Sequence, residues 1–194
     1  MPFDDLSQLP DEALLTLFAG GDAAAARALT ARLTPRVMAH AYRLLGDRAE
    51  AEDVAQEAML RLWKIAAEWR PGEARVTTWL YRVVANLATD RLRRRKRMGP
   101  ALDQVPEPAD ERPGPAEALQ ARARAAAVQM ALDALPERQR QAVVLRHIEG
   151  LGNPEIAAIM EIGIEAAESL TARGKRALRA ALAGRREELG YDDD

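Results

Sequence analysis

The chain has 194 residues, enough for one helical domain or for two small ones that each bury a modest core, and two is the expectation. No cysteine is present, which excludes disulfides, thiolate nucleophiles, thiol redox sensing and cysteine zinc sites. Residues Ala, Arg, Leu and Glu dominate, aromatics are few and the formal net charge is −2, so an all-α protein is expected and a uniformly positive surface is excluded.

That small net charge conceals segregation. Basic residues cluster at Arg91–Arg97 and again at Arg173–Arg179, while acids gather at Glu50–Glu57, Asp103–Glu117 and Asp192–Asp194. Two positive surfaces and a separate partner face fit this pattern. No long apolar run occurs, and the start MPFDDLSQLPDEALL lacks the basic, then apolar, signature of an export signal. A cytoplasmic protein without membrane insertion is therefore expected.

In chain order, Met1 to Pro10 reads as a short flexible leader, followed by a helix over Asp11 to Ala19 with Leu14, Leu15 and Phe18 on one side and Gly20-Gly21 at its end. Asp22 offers an N-cap for Ala23 to Leu33. Pro35 is expected to restart or kink the helix, which continues to Leu45 and stops at Gly46. Asp47 and Glu50 have capping-box spacing, and Glu50, Glu52 and Asp53 suit the positive end of a helix dipole. In this helix Ala55, Ala58, Met59, Leu62, Trp63 and Ala66 form the apolar stripe. Asp53, Gln56, Glu57, Arg61 and Lys64 lie outside it, a charged face that by itself also fits ordinary solvation.

Arg70 to Arg75 contains Pro71-Gly72 and reads as a loop able to gate or line a pocket beside the next helix. That helix, TTWLYRVVANLATDRLRRRKR over Thr77 to Arg97, organises the chain. Trp79, Leu80, Val83, Val84 and Leu87 recur at helical spacing as a buried face, and Arg82, Asn86, Thr89 and Arg93 recur opposite them. Arginines can neutralise phosphates and short polar groups can reach bases, so a nucleic acid suits this side. A solvated amphipathic helix with a basic C-terminus fits it equally.

Met98 to Pro115 carries prolines at 100, 106, 108, 113 and 115 among scattered acids and reads as a linker. Beyond it an Ala- and Arg-rich helix is expected, then a helix restarting at Leu135-Pro136 and closed by Gly150 and Gly152. Asn153-Pro154-Glu155 begins another, Glu161-Ile162-Gly163 turns the chain, and Ile164 to Arg179 forms the last helix. Two short helices, a tight turn and basic residues on the second describe a helix-turn-helix, a pattern that protein-contact domains share.

Taken together, DRAEAEDVAQEAMLRLW, TTWLYRVVANLATDRLRRR, the linker and ALPERQRQAVVLRHIEGLGNPEIAAIM with a basic last helix resemble the bacterial RNA polymerase sigma factors of the extracytoplasmic-function (ECF) type, group 4 of the sigma-70 family. The resemblance covers about Asp11 to Leu182. It implies a region 2 domain at 11–97, a flexible linker at 98–116, a region 4 domain at 117–183 and a short acidic tail at 184–194. Asp53, Gln56 and Glu57 then match the motif that docks on core RNA polymerase. The loop Arg70 to Arg75 and the helix with Arg82, Asn86, Thr89, Arg93 and Arg94 match the part that melts the downstream promoter element. Of these, Asn86 is the better base reader, and Trp79 belongs to the core.

Glu168, Ser169, Ala172 and Arg173 match the reader of the upstream element, with Arg173, Lys175 and Arg176 placed for phosphates. Two positions depart from the family pattern. Glu161 stands where a small residue or glycine is usual, and Glu168-Ser169-Leu170 stands where a Lys-Ser-Arg cluster is common. Promoter DNA, core polymerase and an anti-sigma factor are the implied partners. No cofactor and no metal is expected, since His40 and His147 have neither ligand spacing nor a nearby nucleophile, and both read as structural. Two other readings remain: a helix-turn-helix regulator, which leaves the acidic and arginine-rich helices unexplained, and a sigma-like decoy that binds regulators without DNA.

Overall fold

The computed structural model describes residues 6–72, 74–98 and 116–183. The expected linker, apart from its first and last residues, and the acidic tail lie outside the described residues. Eight α-helices occur among them: α1 (Asp11–Ala19), α2 (Ala23–Leu45), α3 (Arg48–Ile65), α4 (Val76–Met98), α5 (Ala116–Asp133), α6 (Glu137–Val143), α7 (Asn153–Met160) and α8 (Ile164–Ala183). No strand interrupts them among the described residues.

Local chemistry explains most boundaries. The Asp22 carboxylate accepts from the Ala24 and Ala25 amides at 2.7 and 3.2 Å, satisfying donors that the first turn of α2 leaves unpaired. Gly46 closes α2 in the left-handed region at φ 70°, a conformation that glycine adopts without cost. Asp47 accepts from the Glu50 amide at 2.9 Å and starts α3. Only half of the expected capping box forms, because the Glu50 side chain turns instead to Arg95 at 3.1 Å. The start of α4 is capped from another helix, where the Val76 amide donates to the Glu12 carboxylate of α1 at 3.0 Å.

Two expectations are corrected. Of the restart or kink expected at Pro35 the restart does not occur, and α2 runs continuously from Ala23 to Leu45. Its Leu29, Leu33, Val37, Ala41 and Leu44 are all buried, and burial of that stripe, about 1.5 to 3 kcal/mol for each large side chain, outweighs the hydrogen bond that proline forgoes. Residues 6–10 are not a loose leader: Arg32 donates to the carbonyls of Leu6, Ser7 and Leu9 and to the Asp11 carboxylate. The helix after Pro136 does continue to Ile148 as expected, though not in one form. It changes at Val144 into a π-helical turn over Val144–Ile148, with the Glu149 amide reaching the Val144 carbonyl at 3.0 Å.

Helix α2 packs on α1, α3 and α4, while α8 packs on α5, α6 and α7. The two groups touch each other through α4 against α7 and α2 against α5. One apolar cluster consequently runs from Leu14 through Leu80 and Leu132 to Ala167.

Candidate nucleic-acid interface

The outer side of α3 carries Asp53 and Gln56, both exposed, and Glu57, which is partly covered. Spacings of three and four put the three on one face. Asp53 pairs with Arg91 of α4 at 3.3 Å, and Glu57 pairs with Arg61 at 2.9 Å. Alongside runs an open apolar groove of about 360 Å³ lined by Thr34 and Met38 of α2 and by Glu52, Gln56, Met59 and Leu60 of α3, among others. The apolar groove beside this charged face is not among the expectations from the sequence. Its overlooked signal is Leu60, a large apolar residue outside the core stripe and 46% exposed. Trp63 closes one side of the groove and is held edge-on by Phe18, with ring centroids 4.7 Å apart.

On α4, Leu80, Tyr81, Val84, Ala85 and Ala88 face inward, a wider buried face than the expected stripe, with Trp79, Val83 and Leu87 packed at its margin. Trp79 meets Trp69 edge-on at 6.2 Å between centroids, so it belongs with the core packing. Opposite them Arg82, Asn86, Arg93 and Arg94 are exposed and Thr89 is half-buried. The arginine run is not uniformly free. Arg91 is tied to Asp53, Arg95 sits 3.5 Å from Asp47 and 3.1 Å from Glu50, and Lys96 sits 3.2 Å from Glu137. Arg93 lies 3.8 Å from Asp90, whereas Arg94 makes no ion pair among the described residues. Arg82 pairs across the molecule with Glu161, in the turn between α7 and α8.

Helix α8 turns Ala167, Thr171 and Gly174 inward and exposes Glu168, Ser169, Ala172, Arg173, Lys175 and Arg176. The expected reading face is thus a solvent-facing stripe on one helix. Asn153 does not cap α7 with its side chain. Gly152 takes the N-cap position, its amide donating to the Glu155 carboxylate at 2.9 Å, and the Asn153 amide group donates to Glu168 at 3.0 Å. This fixes one oxygen of the unexpected acid. His147 is exposed next to this face rather than in the core. Burial, then the Lys175 and Arg146 charges, hold its imidazole below the ordinary 6.5, so it adds little positive charge at neutral pH.

His40 is fully buried. Its Nδ1 lies 3.1 Å from the Glu149 carboxylate, which can only accept, so Nδ1 carries the proton. The Tyr81 ring lies tilted against the His40 ring, with centroids 4.6 Å apart, and its hydroxyl donates to Glu149. Burial and that carboxylate push the Tyr81 phenol well above its ordinary value. Burial by itself would raise Glu149, but the hydrogen bonds from His40 and Tyr81, with the His40 and Arg43 charges, hold it below 4.5.

Residues 29–98 match the sigma-70 region 2 family and residues 125–178 match the sigma-70 region 4 family. The RNA polymerase sigma-H factor of Pseudomonas aeruginosa is 31% identical over 91% of this chain and 96% of its own length. The chain belongs to the sigma-70 family, among its ECF sigma factors. A second relative, ECF RNA polymerase sigma factor SigE of Mycolicibacterium smegmatis, is 38% identical over 76% of this chain, which spans 58% of that protein's length. Among solved structures, CnrH in complex with the cytosolic domain of CnrY superposes on this ECF sigma factor with a TM-score of 0.64, at 26% identity over 90% of this chain and 97% of the other. No helix among the described residues is long and apolar enough to cross a membrane.

Proposed function

We propose that this ECF sigma factor acts in the cytoplasm by recruiting core RNA polymerase through α3 and reading promoter DNA with α4 and α8. The observation that carries the reading is the division of exposed chemistry over the two matched regions. Region 2 presents an acidic face beside an apolar groove, and then a separate polar and cationic stripe, whereas region 4 presents its polar stripe on the second helix of a helix-turn-helix. Asp53, Gln56 and Glu57 supply the polar rim of the polymerase contact, and the methionine-lined groove supplies its adaptable apolar part. Asn86 then captures an extruded base of the downstream element while Arg82, Thr89, Arg93 and Arg94 hold the strand.

In the upstream element Arg173, Lys175 and Arg176 contact phosphates, and Ser169 and Ala172 lie against the bases. Glu168, steadied by Asn153, has its second oxygen available to accept from a cytosine amine. An anti-sigma protein that covers the polymerase-binding surfaces completes the reading, and the linker between regions 2 and 4 gives the two DNA contacts their reach.

Run-off transcription with purified core polymerase and genomic DNA tests the proposal. Discrete starts that share two upstream elements are the expected result; absence of starts together with absence of core binding would overturn it. Asn86→Ala is expected to slow open-complex formation about ten-fold, the scale of one lost base contact, while core binding is retained. Asp53→Arg with Glu57→Arg does the reverse, abolishing core binding while leaving the DNA surface intact.

A further inference from the structure

Ile164 opens α8 with a large apolar side chain that the fold does not use. It is 49% exposed, and while Ile162, Leu170 and Leu178 from the same stretch of chain pack against the core, Ile164 does not join them. A single exposed isoleucine is ordinary on a protein surface. The residues that share its side of the helix make this one informative.

Spacings of four, four and three place Ile164, Glu168, Ala172 and Lys175 on one face of α8, all of them exposed. Before Arg173 the helix carries Glu165 and Glu168 and no cation, whereas Arg173, Lys175, Arg176 and Arg179 follow one another beyond it. The first half of α8 therefore has nothing to offer a phosphate. A helix-turn-helix sets the N-terminal residues of its second helix against base edges, which brings this cation-free half, with Ile164 foremost, into the major groove. Glu168 is oriented from outside the helix: the Asn153 amide group of α7 donates to one of its carboxylate oxygens at 3.0 Å. Because α7 packs on α8, that bond holds the carboxylate in place relative to Ile164, one turn away.

We infer that Ile164 is a second base-reading residue of region 4, packing on the C5-methyl group of a thymine, and that Asn153 is the positioning residue that keeps Glu168 in register with it. Four residues of helix advance about 6 Å and successive base pairs lie about 3.4 Å apart, so the thymine stands about two base pairs from the cytosine that Glu168 reads. Ala172, small and in line with both, lets the helix approach the bases closely, and Lys175 takes a phosphate at the end of the same face. The inference rests on the reading of α8 as the upstream DNA surface, to which it adds a base, a spacing and two residues.

Exchange of thymine for deoxyuridine deletes only the methyl group and so tests the contact directly, with the holoenzyme formed by core polymerase and the full chain. The probe is a promoter found by run-off transcription, each thymine on either strand of its upstream element being exchanged singly. One exchange is expected to weaken holoenzyme binding about three-fold, the scale of one methyl group withdrawn from apolar contact. Ile164→Ala is expected to bind the thymine and deoxyuridine promoters alike. Asn153→Ala is expected to reduce the preference for cytosine at the Glu168 position about three- to ten-fold, the scale of one hydrogen bond, with Tm unchanged. Equal weakening for all four bases there would overturn the positioning role of Asn153. If no exchange weakens binding, or if Ile164→Ala keeps the parent's sensitivity to the methyl group, the inference fails, while discrete starts leave the sigma-factor reading intact. Absence of starts from every template removes that reading and the inference with it.

Discussion

Gly174 sits on the inward side of α8, where an added Cβ would stand 2.5 Å from Val143 Cγ2 and 2.9 Å from the Gln139 carbonyl oxygen. The second of these neighbours is backbone and cannot rotate aside. Gly174→Ala is therefore expected to destabilise region 4 by about 1 to 3 kcal/mol, read as a lowered Tm. The flanking Arg173 and Lys175 point to solvent, and replacing either should leave Tm nearly unchanged while weakening DNA binding and reducing its salt dependence. Periodicity exposed the outer stripe of α8, because alternation of polar and small residues is a property of the helix alone. It gave no sign of how closely α6 approaches, which is decided by the two helices together.

At the scale of elements, the helices whose ends are set by their own residues were legible: Asp22 and Asp47 as caps, Gly46 as a stop. Elements governed by distant partners were not. Pro35 was read as a restart or a kink because the local rule is strong, yet the stripe packed on α3 and α4 holds α2 as one helix without a restart. The Leu6–Pro10 segment was read as loose because its order comes from Arg32, more than twenty residues away. With Arg32→Ala the turn loses donors to three carbonyls and the ion pair to Asp11. These groups are partly exposed and regain water, so the expected cost is only about 1 kcal/mol. Hydrogen exchange localises the change: amides near Ala13 and Leu14, which donate to Pro10, should exchange faster while those of α8 stay as before.

The whole molecule is where the sequence was least legible, because the contacts that close region 2 on region 4 join residues such as His40 and Glu149, 109 positions apart. Each looks ordinary in its own helix. Together with Tyr81 and Arg43 they bury a carboxylate at the junction, with Arg36 acting on Tyr81 from nearby. Burial raises Glu149, yet the hydrogen bonds and cations around it outweigh that effect and leave it below 4.5 in the closed form. A separated, solvated Glu149 returns towards 4.5 and binds a proton more readily, so the closed form gains stability from this group above about pH 4.5. The gain disappears as pH falls through the lower value that Glu149 has when packed. Energy transfer between the two regions should thus hold steady from pH 7 to 5 and decline below about 4.5, before far-UV circular dichroism reports loss of helix. Glu149→Gln cannot titrate there and should show a lower transfer at pH 7 with a flatter acid profile. Superimposable profiles for the parent and Glu149→Gln would show that the junction does not depend on the ionised carboxylate, and that the packing of α4 on α7 and α2 on α5 holds the regions together without it.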